Sequence, residues 1–239
     1  DRKTFDPGAL GLELAFEDAE FIVEHVNRVV RFEPYKGVLR GAQGTLAGGG
    51  GNAIDQALLT AVLLFDAGYE AEIRGTSLTD DQVAVLLGQL VPGDDASAPL
   101  AQAAPELGLD IDLAEVERQL AAEIAVLESD VARMDALLAG VTPSSSDARA
   151  TLMDAAREYH WVAYRFSGGD EWAEAHPVFG GEVPQEFLGL EATQAFSGQI
   201  PEELQHRFRF EVFIERRLGD ELVVAPLMEA WERPVANMY

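Results

Sequence analysis

The chain has 239 residues, of which 48% are hydrophobic and none is cysteine, and its formal net charge is −25. A chain of this length buries a substantial core in one large domain or two smaller ones, and without cysteine it has no disulfide, thiolate metal ligand or cysteine nucleophile. The negative charge argues against nucleic acids and anionic membrane surfaces as partners.

The sequence carries no recognisable targeting segment. Residues 1–5 lack the apolar stretch of a signal peptide, and no apolar run reaches the roughly 18 residues that a membrane span needs. The first residue is Asp1 rather than Met, which fits a trimmed or mature form. The cellular compartment therefore stays open.

Helices dominate the first part of the predicted fold. Apolar positions recur at helical spacing over residues 17–31, which predicts a first helix. The next helix begins near Asn52, a favourable N-cap, and Asp55 lies in its first turn, where the helix dipole favours an acid. Because apolar side chains occupy nearly every face of this helix, we expect it to be buried, and we expect Gly68 to end it.

The middle of the chain is predicted to be mostly helical after one strand at 70–75. An amphipathic helix is expected at 79–91, then a loop at 92–110 and a long helix at 112–139. The long helix has a heptad-like apolar seam. It either packs within its own domain or forms an arm through which two copies self-associate. A further helix is expected to end near Glu158.

Strand-like alternation replaces the helical spacing after the last predicted helix. Residues 160–166 alternate, residues 167–170 suit a hairpin turn, and a partner strand is expected within 171–180. A longer strand is predicted over 206–216, and it turns back into a strand at 222–225. Helices followed by strands predict an α+β fold.

Four glycines, Gly48 to Gly51, stand directly before the apolar helix and open it as a tight turn. Backbone N–H groups at such a place can hold a phosphate, but a Walker-type loop needs a lysine beside the last glycine, where Asn52 and Ala53 stand. The four histidines form no short His-x-x-x-His pair, and cysteine ligands are missing. We therefore expect neither a nucleotide or other cofactor nor a metal.

Two histidines, His160 and His176, flank the predicted hairpin. The motifs around them and along the apolar helix are His160-Trp161-Val162-x-Tyr164, Trp172-x-x-x-His176-Pro177 and Leu59-x-x-x-Leu63-Leu64-Phe65-x-Ala67-Gly68-Tyr69. Together with the Gly-Asn-x-x-Asp start of the helix, this combination resembles the transglutaminase-like superfamily, which has a papain-like fold.

The resemblance covers residues 18–75 and 157–180. It implies an α+β fold in which a buried helix packs on an antiparallel sheet, with a helical insertion at about 79–157. We expect a transglutaminase-like domain over residues 1–185. Residues 186–239 then form a strand-rich C-terminal extension, which we expect to continue in the native polypeptide.

In that family a cysteine at the helix N-terminus attacks an amide carbonyl, a histidine acts as its base, and an aspartate orients the histidine. Carried over to this chain, the nucleophile position is Ala53, the base is His160 and the orienting-acid position is His176. A methyl group cannot attack a carbonyl. The resemblance therefore implies a non-catalytic module that binds a peptide or protein, or serves as a scaffold.

Two other functions remain open at this point. In one, Ala53 is an introduced replacement that inactivates a cysteine protease or an amide-transferring enzyme. In the other, the chain is an oligomerisation module built on the helix at 112–139. Because His176 departs from the family pattern as well, natural divergence is favoured over an engineered change at Ala53 alone.

Overall fold

A computed structural model describes residues 6–90, 145–218 and 221–237. Within these ranges the fold combines helices with antiparallel strands, which confirms the α+β class. The helix expected at 112–139 and the loop expected at 92–110 lie outside the described residues. The α-helices are α1 (Pro7–Leu14), α2 (Ala19–Val29), α3 (Gly41–Gly48), α4 (Ala53–Asp66), α5 (Asp80–Gly88) and α6 (Ser145–Ala156).

Four of the strands in the described ranges form a central antiparallel sheet. The strands are β1 (Arg31–Phe32), β2 (Gly50–Gly51), β3 (Tyr69–Ser77), β4 (Glu158–Phe166), β5 (Ala173–Ala175), β6 (Gln194–Phe196), β7 (Arg207–Phe210), β8 (Phe213–Leu218), β9 (Glu221–Pro226) and β10 (Trp231–Pro234). The central sheet has the order β5-β4-β3-β6. Separate two-stranded sheets pair β1 with β2 in parallel, and pair β7 with β10 and β8 with β9 in antiparallel.

Helix α4 is the buried helix that the sequence predicts. Asn52 caps it, because the side-chain oxygen accepts a hydrogen bond from the Asp55 N–H at 3.0 Å. Leu59, Leu63 and Leu64 are fully buried among side chains of α2, β3 and β4, and burying each leucine contributes about 1.5–3 kcal/mol. With 14 residues α4 is too short to cross a bilayer, and no other described helix is long and apolar enough to do so.

The two faces of the central sheet belong to different apolar clusters. Val162 of β4 packs with side chains of α2 and α4, whereas Tyr159 and Trp161 pack with α5 and with Phe187. Successive residues of a strand point to opposite faces, so His160 lies on the same face as Val162, toward α4. This alternation decides which elements surround the candidate residues.

Some predicted boundaries differ from the observed ones. A helix, α1, begins at Pro7 under a cap from Asp6, where the sequence shows no clear periodicity. The single strand predicted over 206–216 is wrong, because β7 and β8 pair in different sheets. Strand β6 lies in the segment 186–239 that the sequence assigns to the extension, yet it pairs with β3 in the central sheet. The glycine stop after α4 is confirmed at Gly68, whose φ is 90°.

The carboxylate of Asp55 attaches the loop before α3 to the N-terminus of α4. Asp55 is fully buried, and four hydrogen-bond donors from residues 35–41 surround its oxygens. They are the Tyr35 hydroxyl (2.6 Å), and the N–H groups of Leu39 (3.3 Å), Arg40 (3.1 Å) and Gly41 (2.8 Å). Hydrogen bonds of this number offset the cost of burying a carboxylate.

Replacing Asp55 with alanine tests this attachment. Asp55→Ala leaves three backbone N–H groups and one hydroxyl without their acceptor, so we expect the free energy of unfolding to fall by on the order of 4 kcal/mol. Urea denaturation measures the change. The matched control is Asp170→Ala, at an exposed turn position, which should change stability by less than about 0.5 kcal/mol. Similar losses in the two variants would contradict the structural role of Asp55.

Candidate functional site

Ala53, at the predicted nucleophile position, is the first residue of α4 and is only 3% exposed. It belongs to the apolar cluster that includes Tyr159 and Trp161. The side chain is a methyl group, which has no lone pair to donate and no proton to lose. The helix N-terminus is therefore present where the sequence predicts it, but it carries no reactive group.

The glycine run before Ala53 is not an open turn. Gly49 leaves α3 with a φ of 57°, and Gly50 and Gly51 form β2, which pairs with β1. A Cβ atom on Gly50 would collide with the Glu33 carboxylate and the Arg40 guanidinium. A side chain at this position would displace the Glu33–Arg40 ion pair.

His160 lies in β4 and is 1% exposed. Its Nε2 is 2.9 Å from the amide nitrogen of Gln194 in β6. In this orientation the amide donates and Nε2 accepts, so the ring proton of the neutral imidazole resides on Nδ1. That Nδ1 is buried and has no hydrogen-bond partner among the described residues.

A glycine between the two strands makes the contact between His160 and Gln194 possible. Gly75 of β3 pairs with His160 on one side and with Gln194 on the other. A Cβ atom on Gly75 would lie 2.6 Å from Cδ2 of His160 and 2.8 Å from Nε2 of Gln194. The imidazole therefore extends across β3 through space that any other residue would fill.

His176 follows β5 and is 2% exposed. Its ring stacks on Tyr159 at 5.8 Å and on Trp161 at 5.9 Å between centroids, and Nδ1 is 2.9 Å from the Tyr159 hydroxyl oxygen. Both aromatic residues lie on the face of β4 opposite His160. His176 therefore forms no hydrogen bond with His160, as the expected orienting role would require. The side chain that hydrogen-bonds to His160 is Gln194.

Burial determines the charge of both histidines. Loss of solvation lowers the pKa of His160 to about 4. The same cause lowers the pKa of His176 to about 4, although Glu174 acts in the opposite direction. Both imidazoles are consequently neutral near pH 7.

The sequence reasoning missed Gln194. Its one available signal was Gly75, since a glycine inside a predicted strand often marks close approach of another group. Asp55, which the sequence places in the first helical turn, also accepts hydrogen bonds from the loop at 35–41. Over the residues that the structure describes, no three His, Asp or Glu side chains are grouped so as to hold a metal ion.

Searches of protein-family models, curated proteins and solved structures give no match to this chain. The function is therefore inferred from the geometry of the site. That geometry comprises the buried, hydrogen-bonded pair of His160 and Gln194 and, at the N-terminus of α4, a methyl group at position 53. Thiol-dependent acyl transfer cannot take place at Ala53.

Replacing Gly75 tests the contact across β3. Gly75→Ala introduces a methyl group at less than 3 Å from both His160 and Gln194, so we expect it to reduce stability by about 1–3 kcal/mol through overpacking. The control is Gly88→Ala, whose added methyl group meets no atom within 4 Å. Thermal or urea denaturation compares the two. Equal stability of Gly75→Ala and wild type would contradict the described contact.

The buried histidines also predict how stability depends on pH. Their folded-state pKa of about 4 lies below the ordinary 6.5, so between these values the unfolded chain binds more protons. Stability should therefore fall as pH decreases from 6.5 toward 4, by up to about 1.4 kcal/mol per pH unit for each histidine. Urea denaturation at several pH values measures this slope.

A pair of histidine variants separates this effect from that of the many carboxylates, which titrate in every variant. His160→Asn should have a shallower slope than wild type, whereas His206→Asn, at an exposed position, should retain most of the wild-type slope. An unchanged slope in His160→Asn would show that His160 is not a buried neutral group.

Proposed function

We propose that this chain is a non-catalytic peptide- or protein-binding module built on a transglutaminase-like framework. The observation that carries the proposal is the methyl group of Ala53 at the start of the buried helix α4, with His160 in the strand that faces this helix. These two positions support the resemblance to a thiol-dependent site, in which the thiol itself is missing. A domain of this kind keeps a shaped framework for binding while it lacks the chemical step.

An exposed aromatic surface supports a binding role. One face of the two-stranded sheet β7–β10 carries Phe208, Phe210 and Trp231, which are 43%, 47% and 37% exposed. Phe208 is 6.4 Å from each of the other two rings between centroids. Grouped apolar side chains on a surface are typical of interaction sites.

One observation favours a second function, an inactivated form of a cysteine protease or amide-transferring enzyme. Nδ1 of His160 is buried without a hydrogen-bond partner among the described residues, and buried polar atoms normally have one. In a thiol-dependent enzyme this imidazole would be the base. In this alternative, alanine replaces the cysteine of an active enzyme.

Activity assays test the proposed function directly. We expect the chain as it stands to show no hydrolysis of a chromogenic amide and no incorporation of a primary amine into a glutamine-containing peptide. The matched control is His160→Asn, which removes the imidazole at the expected base position. Turnover by the original chain that disappears in His160→Asn would overturn the proposal.

Restoring a thiol distinguishes the proposed function from the inactivated enzyme. At a 3% exposed position in an apolar cluster, the thiol of Ala53→Cys should have a pKa at or above the ordinary value of about 8.5. Its alkylation by iodoacetamide should be slower than that of Ala173→Cys, at an exposed position of β5. A lowered thiol pKa with faster alkylation at position 53 would favour the enzyme.

A further inference from the structure

A cavity of about 220 Å³ lies between helix α4 and the edge strand β6 of the central sheet. Four apolar side chains of α4 form one wall, and β3 and β6 form the other. None of the described residues that line this cavity is charged. We call it the edge groove, and its principal residues are Leu58, Ala61, Val62 and Phe65 of α4, Ile73 of β3 and Phe196 of β6.

One face of α4 is uncovered at the edge groove, although most of the helix is buried. The helix positions 58, 61, 62 and 65 recur at the spacing of a single helix face. On that face Val62 is 37% exposed and Phe65 is 73% exposed. Water contacts these apolar side chains until a ligand covers them, and covering them is favourable. The groove therefore offers an apolar contact surface that the fold itself leaves unused.

Strand β6 supplies a free main-chain edge beside the groove. In the sheet order β5-β4-β3-β6 it pairs with β3 alone. Because the N–H and C=O groups of successive strand residues point alternately to the two sides, part of the main chain of Gln194–Phe196 is directed away from β3. Among the described residues no backbone group pairs with it on that side. A free strand edge is a template for an extended segment of another chain.

The charge of the surrounding segments favours one kind of occupant. No Lys or Arg occurs at positions 41–73, which contain α4 and most of β3, or at positions 166–206, which contain β6. These two ranges contain four and eight Asp or Glu residues, respectively. A peptide with Lys or Arg is therefore attracted to this part of the surface. A second copy of the chain has the same charge of −25 and is repelled.

We propose that the edge groove binds an extended peptide, which pairs with β6 as an added strand and places one apolar side chain against Val62 and Phe65, with Lys or Arg on either side of it. This inference rests on the proposed function, because it names the peptide and its place on the module. Successive side chains of a strand point to opposite faces, so the apolar residue enters the groove while its basic neighbours stay in solvent. A cavity of about 220 Å³ suits one side chain rather than a drug-sized molecule, which occupies about 300–1,000 Å³.

Titration of the full chain with short peptides tests the proposal, with backbone amide chemical shifts as the readout. The parent probe is acetyl-Thr-Lys-Phe-Lys-Thr-amide. Three relatives each lack one feature: Ala in place of Phe, Glu in place of both Lys, and N-methyl groups on the three central residues, which remove the main-chain donors. We expect saturable binding of the parent, with shifts at Gln194–Phe196, and at least about tenfold weaker binding of each relative.

Matched variants locate the binding. Phe65→Ser should weaken binding of the parent peptide at least about tenfold, because it removes the exposed ring of the groove. The control is Phe213→Ser, which removes a 54% exposed phenylalanine from β8 in a different sheet and should change binding less than about twofold. Both side chains are exposed, so neither substitution opens a cavity in the core, and thermal denaturation checks that both variants are folded.

Several results would overturn the inference. They are no saturable binding, equal binding of the parent and N-methylated peptides, equal binding by Phe65→Ser and Phe213→Ser, or a dimer in light scattering that Phe65→Ser abolishes, which would make a second copy the occupant. Parent binding that survives Phe65→Ser would contradict the edge groove and leave the proposed binding function standing. Turnover in the amide assays would contradict the non-catalytic function whatever the peptides do.

Discussion

The buried carboxylate of Asp55 is the interaction on which the candidate site depends. A carboxylate without partners would be strongly unfavourable in this interior, and the donors of residues 35–41 compensate it. That segment cannot leave the N-terminus of α4 without exposing several unpaired groups at once. Asn52 strengthens the same junction, because its amide donates to the carbonyl groups of Tyr35 and Gly37. Ala53, between Asn52 and Asp55, is held in place by both.

With α4 fixed in this way, the alternation of β4 separates two environments. His160 faces α4 and reaches across Gly75 to Gln194, while His176 stacks on Tyr159 from the other face. Each histidine keeps one ring nitrogen without a partner among the described residues. For His160 this nitrogen is Nδ1, opposite the Nε2 that accepts from Gln194. For His176 it is Nε2, on a ring that stacks against Tyr159 and Trp161.

Local patterns in the sequence predicted the central elements well. Apolar spacing and the Asn52 cap identified α4, and the change of period near His160 identified β4, because these features depend on neighbouring residues. Gln194 was missed since its pairing with Gly75 joins segments that are distant in the chain. The expected role of His176 requires its side chain to lie on the same face of the sheet as His160. Moving the pairing of a short strand by one residue places a side chain on the other face, so the positions of the two histidines in the sequence do not show whether they share a face.

The central claim is that His160 is a neutral, buried imidazole held by Gln194 in a site without a nucleophile. Imidazole ¹⁵N NMR tests it most directly, at about pH 5.5, between the folded-state and ordinary pKa values of histidine. We expect His160 to remain neutral with its proton on Nδ1, and Gln194→Ala to shift the His160 nitrogen signals while those of His176 stay unchanged. A His160 that is protonated at this pH, or that does not respond to Gln194→Ala, would contradict the account.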